Sequence, residues 1–118
     1  MAPNIPTTLY APTALAASGD TTLFTVSTDH VYELSMIKIV NNTSAKVTVK
    51  FGVGGTADTN LITPPIGVPK QGVVTLNKEV AGDILNGKTE GTEQSLWVNS
   101  TATGVTITVY GIDRYPDF

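Results

Sequence analysis

The 118-residue chain contains no cysteine, so neither a disulfide framework nor a thiolate metal site can be built from it. It is also poor in charge: Asp, Glu, Lys and Arg make up 14% of the residues, against roughly 25% in an average soluble domain. Ten acidic and seven basic residues leave a net charge of -3, and the Lys and Arg are scattered singly from Lys38 to Arg114. No basic stripe exists to attract nucleic acid, so none is expected as a partner. No apolar run reaches the ~18 residues of a membrane span. The N-terminal MAPNIPTTLYAPTALAASGD also lacks the basic and apolar regions of a secretory signal. The reading is a soluble protein made in the cytosol, with no membrane partner. Sustained 3.6-residue periodicity is missing too, which argues against any helix of normal length.

What the chain does have is Thr, Val, Ala and Gly in short alternating stretches. Val47, Val49, Phe51 and Val53 are spaced two apart, with Lys46, Thr48, Lys50 and Gly52 between them, the period of a strand with one buried face. The run before it, 31–40, changes parity: Tyr32, Leu34 and Met36 alternate, then Ile37 and Ile39. That switch implies either a bulge near Met36 and Ile37 or a strand covered on both faces. With the turn residues Asn41, Asn42, Thr43 and Ser44 between them, the two runs read as a central β-hairpin over 31–53. Further strands are expected at 21–26, 72–77, 84–85, 95–99 and 104–112, the last with Val105, Ile107 and Val109 alternating with Thr106, Thr108 and Tyr110. STATG before it reads as a second hairpin turn. Pro64, Pro65 and Pro69 forbid a central strand in the long stretch after Val53.

Seven to eight short strands with regular turn signals predict an all-β fold, an antiparallel β-sandwich of either jelly-roll or immunoglobulin-like topology. Residues 1–20, with Pro3, Pro6 and Pro12, are expected as an extended N-terminal arm whose loss leaves the domain folded. The sandwich is assigned to 21–113 and a C-terminal tail to 114–118.

Chemistry is hard to find. His30 beside Asp29 can be drawn as an oriented general base, yet no serine stands in a nucleophile motif. A hydrogen-bonded turn is the simpler role for the pair. The acids Asp20, Asp58, Asp83, Glu90 and Glu93 fall singly on turns, and Asp58 with Asn60 forms only a fragment of an oxygen-ligand loop. Gly52, Gly54 and Gly55 end a strand and precede no helix, so they are no phosphate loop. Asn-x-Ser/Thr triplets at 41–44 and 99–101 read as turn residues. A non-enzymatic protein without a cofactor is expected. The remaining lead is aromatic. Trp97 faces away from Leu96 and Val98 and needs a cover, which can be the N-terminal arm, another subunit or a sugar ring.

The pieces occur in a telling order. Leu9-Tyr10-Ala11-Pro12 precedes the strand Leu23-Phe24-Thr25-Val26, followed by a long strand ending in Asn-Asn-Thr-Ser and a strand ending in Gly-Val-Gly. Then come Val-Val-Thr-Leu, an Ala-Gly-Asp turn at 81–85, and the closing Val-Thr-Ile-Thr-Val-Tyr-Gly-Ile. This arrangement resembles small β-sandwich proteins encoded among the structural genes of tailed bacteriophages and prophages. The resemblance covers nearly the whole chain, apart from the Pro-rich 63–70 and the closing DRYPDF. Its motifs mark strands and turns and carry over no catalytic or binding residue. It implies a virion component, made in the host cytoplasm: a capsid decoration protein, or a tail or collar protein. The partners would be other copies of the chain, as a homo-oligomer, and the major capsid or tail protein. On this reading Leu9, Tyr10, Trp97, Tyr115 and Phe118 are the expected contact residues. The competing expectation is a carbohydrate-binding module with Trp97 and Tyr110 as stacking platforms.

Overall fold

A computed structural model describes residues 7–16, 18–54, 60–77, 84–86 and 93–114. Among these residues lie nine strands: β1 (Thr7–Ala14), β2 (Gly19–Thr25), β3 (Val31–Asn41), β4 (Val47–Val53), β5 (Ile66–Val68), β6 (Val73–Leu76), β7 (Ile84–Asn86), β8 (Ser95–Ser100) and β9 (Val105–Asp113). One sheet runs β1-β9-β3-β6, with β7 also on β3, and the other runs β2-β8-β4-β5. All pairings are antiparallel, as the all-β sandwich reading requires.

The pairing pattern decides the topology. β1 pairs with β9, β2 with β8, β3 with β6 and β4 with β5, four nested pairs of one long hairpin whose tip lies between β4 and β5. Rolling that hairpin brings β3 against β9 and β4 against β8, which are the two remaining pairings of the roll. This is the double Greek key of a jelly roll rather than an immunoglobulin arrangement. The ninth strand, the three-residue β7, fills the stretch of β3 that β6 leaves unpaired, opposite Val31, Tyr32 and Glu33.

The expected hairpin over 31–53 is not one. β3 and β4 lie in opposite sheets, and so do β8 and β9, so NNTSA and STATG are arches that cross the sandwich. A period-2 pattern reports only that one face is buried, and two strands facing each other across a core satisfy it as well as two neighbours in one sheet. The expected irregularity in β3 is present: the register with β9 slips between Leu34 and Met36. The slip turns the inward set from Leu34 to Ile37 and Ile39, all fully buried. They meet Ile107 and Val109 of β9 on their own sheet and Val49, Phe51, Leu96 and Val98 from the other. Each such side chain stabilises the fold by roughly 1.5–3 kcal/mol through burial.

The proline-rich stretch holds a strand that its composition hides. β5 has only three residues, sits at a sheet edge, and is bounded by Pro65 and Pro69, so no proline has to donate within it. The edge strand β1 likewise carries Pro12 and two register slips against β9. Such edges offer poor templates for open-ended strand addition.

Asn41 holds the β3–β4 arch to β5. It follows Ile37 and Ile39 on the inward parity and is fully buried. Its Nδ2 donates to the carbonyls of Ala45 (2.9 Å), Val68 (3.1 Å) and Pro69 (3.1 Å), and its Oδ1 accepts from the Thr43 amide (2.9 Å). The Thr43 hydroxyl lies 2.6 Å from the same oxygen. Beside the arch, Gly104 takes φ +82° and its carbonyl accepts from the Asn42 amide, a backbone state that favours glycine. Asn41→Ala removes the partner of the buried Val68 carbonyl and the bonds to Ala45 and Pro69, and is expected to lower unfolding free energy by about 3 kcal/mol in urea titrations. A loss under about 1 kcal/mol would contradict this role.

Candidate interaction surfaces

Leu9 and Tyr10 are expected on an arm, and the structure places them in the sandwich. The described part of 1–20 is extended, but Thr7–Ala14 is hydrogen-bonded to β9 as an edge strand, and β2 begins at Gly19. The folded domain therefore starts before residue 21. Leu9 and Tyr10 are half-buried and pack on the core, while the other six residues of β1 are exposed. Leu9 covers Gly111 so closely that a Cβ there would lie 2.6 Å from its Cδ1. Leu15, just past β1, is buried and donates its amide to Val105 O at 2.8 Å.

Tyr10 begins an aromatic seam. Its ring stacks on Phe24 of β2 at 6.1 Å, Phe24 meets Tyr32 of β3 at 5.9 Å, and Tyr32 meets the edge of His30 at 6.1 Å. The seam joins the two sheets where β1 and β2 form their free edges. Offset and tilted ring pairs of this kind add about 0.5–1.5 kcal/mol each beyond their buried area.

Trp97 does point to the outer face of its sheet, and its cover belongs to the same chain. It is 1% exposed. It lies beside Gly52 on β4 and Thr22 on β2. The strip at 60–62 returns over β4: Leu61 bridges Gly52, and the Ile62 amide donates to Phe51 O at 2.9 Å. Gly52 is what lets the indole lie flat. A Cβ there would lie 2.3 Å from Trp97 Cζ2, 2.4 Å from its Cε2 and 2.8 Å from Asn60 O. The Trp97 Nε1 is, among the described residues, the one buried side-chain nitrogen or oxygen without a hydrogen-bond partner. Neither a sugar ring nor a neighbouring subunit can reach this side chain in the folded chain. Glycine between two β-positions was the signal that a bulky neighbour lies across the strand.

His30 is oriented by a carboxylate, but not by that of Asp29. Its Nδ1 lies 2.8 Å from Asp113 Oδ2, at the far end of β9. Asp29 has φ +68° inside a turn closed by the His30 amide on Ser27 O, a conformation that Asp tolerates better than most residues. Ser27 Oγ is 3.4 Å from the Tyr32 hydroxyl, Thr28 bonds Glu93, and Arg114 Nε donates to Glu33 at 2.7 Å. These contacts tie the β2–β3 turn, the start of β8 and the end of β9 into one end of the roll. Tyr115 and Phe118, with Asp58 and the 81–83 turn, lie outside the described residues. Among the described residues no group of three metal-ligating side chains converges, and no helix is long and apolar enough to cross a membrane.

The outer face of the β1-β9-β3-β6 sheet is the surface that the residue pattern did not single out. Alternation places Met36, Lys38 and Val40 of β3 there, beside Thr106, Thr108 and Tyr110 of β9 and Val73 and Thr75 of β6. Val73 is 55% exposed, the most open large apolar side chain among the described residues. Lys38 is the one charge in that set. Comparison with known proteins gives no matching family model, no matching curated protein and no matching solved structure.

Two outcomes follow from these placements. Gly52→Ala is expected to expel the indole, with a destabilisation of about 2–3 kcal/mol and a red shift in the emission of the chain's single tryptophan. A blue emission maximum like that of the parent protein would contradict the close approach. Removing residues 1–14 uncovers β9 and takes Tyr10 from Phe24. The truncated chain is expected to melt well below the parent, by more than about 8 °C; an unchanged melt would restore a detachable arm.

Proposed function

We propose that this chain is a non-enzymatic structural protein of a virus particle, acting as a capsid decoration protein of the tailed-bacteriophage kind. A tail or collar position is the variant of the same reading. The support begins with the order of sequence motifs, which resembles that group, and with the jelly-roll path of the chain, an architecture that viral shell proteins share with lectins and cupins. Fold likeness alone does not assign a role.

The observation that carries the reading is how the chain spends its reactive and aromatic side chains. His30, Glu33, Asp113 and Arg114 pair with one another across the strand ends. Asn41 pins an arch, Tyr10, Phe24 and Tyr32 close the seam, and Trp97 is sealed under the 60–62 strip. Among the described residues, the outer face of the β1-β9-β3-β6 sheet is of Thr, Val, Met and Tyr with Lys38 as its charge. Such a surface binds by area and shape, since little charge has to be desolvated when it is covered. The carbohydrate-binding alternative loses its main platform with Trp97 buried and keeps only the half-buried Tyr110.

The decisive test is presence on particles. Particles induced from the strain that carries the coding sequence, banded in a density gradient and analysed by mass spectrometry, are expected to contain the chain in many copies. Its absence from intact, infectious particles would overturn the proposal.

A further inference from the structure

We infer that β1 is an exchangeable strand, which leaves its own β9 and pairs with β9 of a second copy of the chain, joining the two. This rests on the assembly reading above and names the partner.

The contact that joins two copies is already present within one. β1 pairs with β9 from Thr7 opposite Gly111 to Ala14 opposite Thr106, and Leu15 extends the pairing by donating its amide to Val105 O at 2.8 Å. The seat is shaped for two side chains. Gly111 is a notch for Leu9, since a Cβ there would stand 2.6 Å from the leucine Cδ1, and the ring of Phe24 stacks on that of Tyr10 at 6.1 Å. A strand from a neighbouring copy fills the same seat with the same residues, so exchange requires no new interface.

Three features single out β1 for release. Its pairing with β9 slips twice, between Thr8 and Tyr10 and between Tyr10 and Thr13. Six of its eight residues are exposed. Only Leu9, Tyr10 and the adjacent Leu15 therefore withdraw from the core when it departs, and the pairing of β3 with β9 does not involve it. The third feature is the link to β2. β1 and β2 belong to opposite sheets, and three residues separate Leu15 from Gly19. Four steps of chain reach about 14 Å when fully extended, and stacked sheets stand ~10 Å apart. Crossing the sandwich takes most of that reach.

A short link of this kind favours exchange over folding back. A tether holds a strand on its own chain through effective concentration, and that advantage shrinks when the linker only just spans its two ends. Where many copies stand side by side, the neighbour's β9 competes with the strand's own. Two copies trading strands about a two-fold axis form the smallest closed arrangement.

The chain has no cysteine, so engineered ones report the pairing without background. Ala14→Cys and Thr106→Cys, opposite each other across β1 and β9, are placed on separate full-length chains, which are mixed at about 10 µM and at about 1 mM and oxidised mildly. At the higher concentration the mixed 14–106 disulfide is expected at about tenfold or more the yield of a control pair, Ala14→Cys with Thr75→Cys. Thr75 is an exposed residue of β6. A third form lengthens the link by Gly-Ser-Gly-Ser after Ala16 in both partners. It is expected to keep the parent's melting temperature and to lower the 14–106 yield by about tenfold, because β1 then folds back without constraint. No excess over the control pair, or a yield indifferent to link length, would overturn the inference. A chain found on particles but lacking the 14–106 disulfide would keep the functional reading and lose this one.

Discussion

The pairing of β3 with β9 is the constraint on which the rest of the molecule depends. It is the longest register in the structure, from Tyr32 opposite Asp113 to Asn41 opposite Val105. It also joins strands from the two arms of the nested hairpin. Once it forms, Ile37, Ile39, Ile107 and Val109 share one buried face, and the opposite sheet has to bring Val49, Phe51, Leu96 and Val98 over them. The slip at Ser35 is part of that fit, because without it Leu34 and Ile37 could not both point inward. Asn41 then ends the strand with a polar side chain in the core, satisfied by three carbonyls of the arch and β5.

Function follows from what this construction leaves over. A roll of this size has few aromatic and ionisable side chains, and most of the described ones are committed to holding strand ends and sheet edges together. Among the described residues, the surface that remains on the sheets is largely of β-branched and hydroxyl side chains. Such a surface suits contact over area, and the proposed place in a larger array rests on it.

Much of the fold was legible in the sequence. The strands over 47–53 and 105–113 stand out because each buries one face, and the parity change near Met36 marks a bulge that is present. What periodicity could not supply is which strand lies beside which. Val47, Val49 and Phe51 alternate identically whether β4 neighbours β3 in one sheet or faces it across the core, so a hairpin and an arch read alike at 31–53. β5 is hidden by its prolines, and β1 reads as an arm because Pro12 and the small or polar Thr7, Thr8, Ala11, Thr13 and Ala14 suit an edge strand and a loose segment equally well. Of the expected contact residues, Leu9 and Tyr10 turn inward and Trp97 is buried. Alternation puts Trp97 on the outer face, where its cover includes the strip at 60–62, a contact that depends on Gly52 and on a return of the chain with no periodic signature. Sequence offers Asp29 as the acid beside His30, while the fold supplies Asp113 from the other end of the chain.

The arrangement of β3 and β4 in opposite sheets decides all of these surfaces, and it can be measured directly. At 12.4 kDa the chain suits solution NMR. Nuclear Overhauser contacts between backbone protons of paired strands report neighbours in a sheet, whose chains are ~5 Å apart, and not strands facing each other across ~10 Å. The account requires backbone contacts linking Lys38 to Thr108 and to Thr75, and Lys50 to Asn99, with none between residues 37–40 and 47–50. A ladder of contacts between 37–40 and 47–50 would mean a true hairpin, and the jelly roll would be wrong.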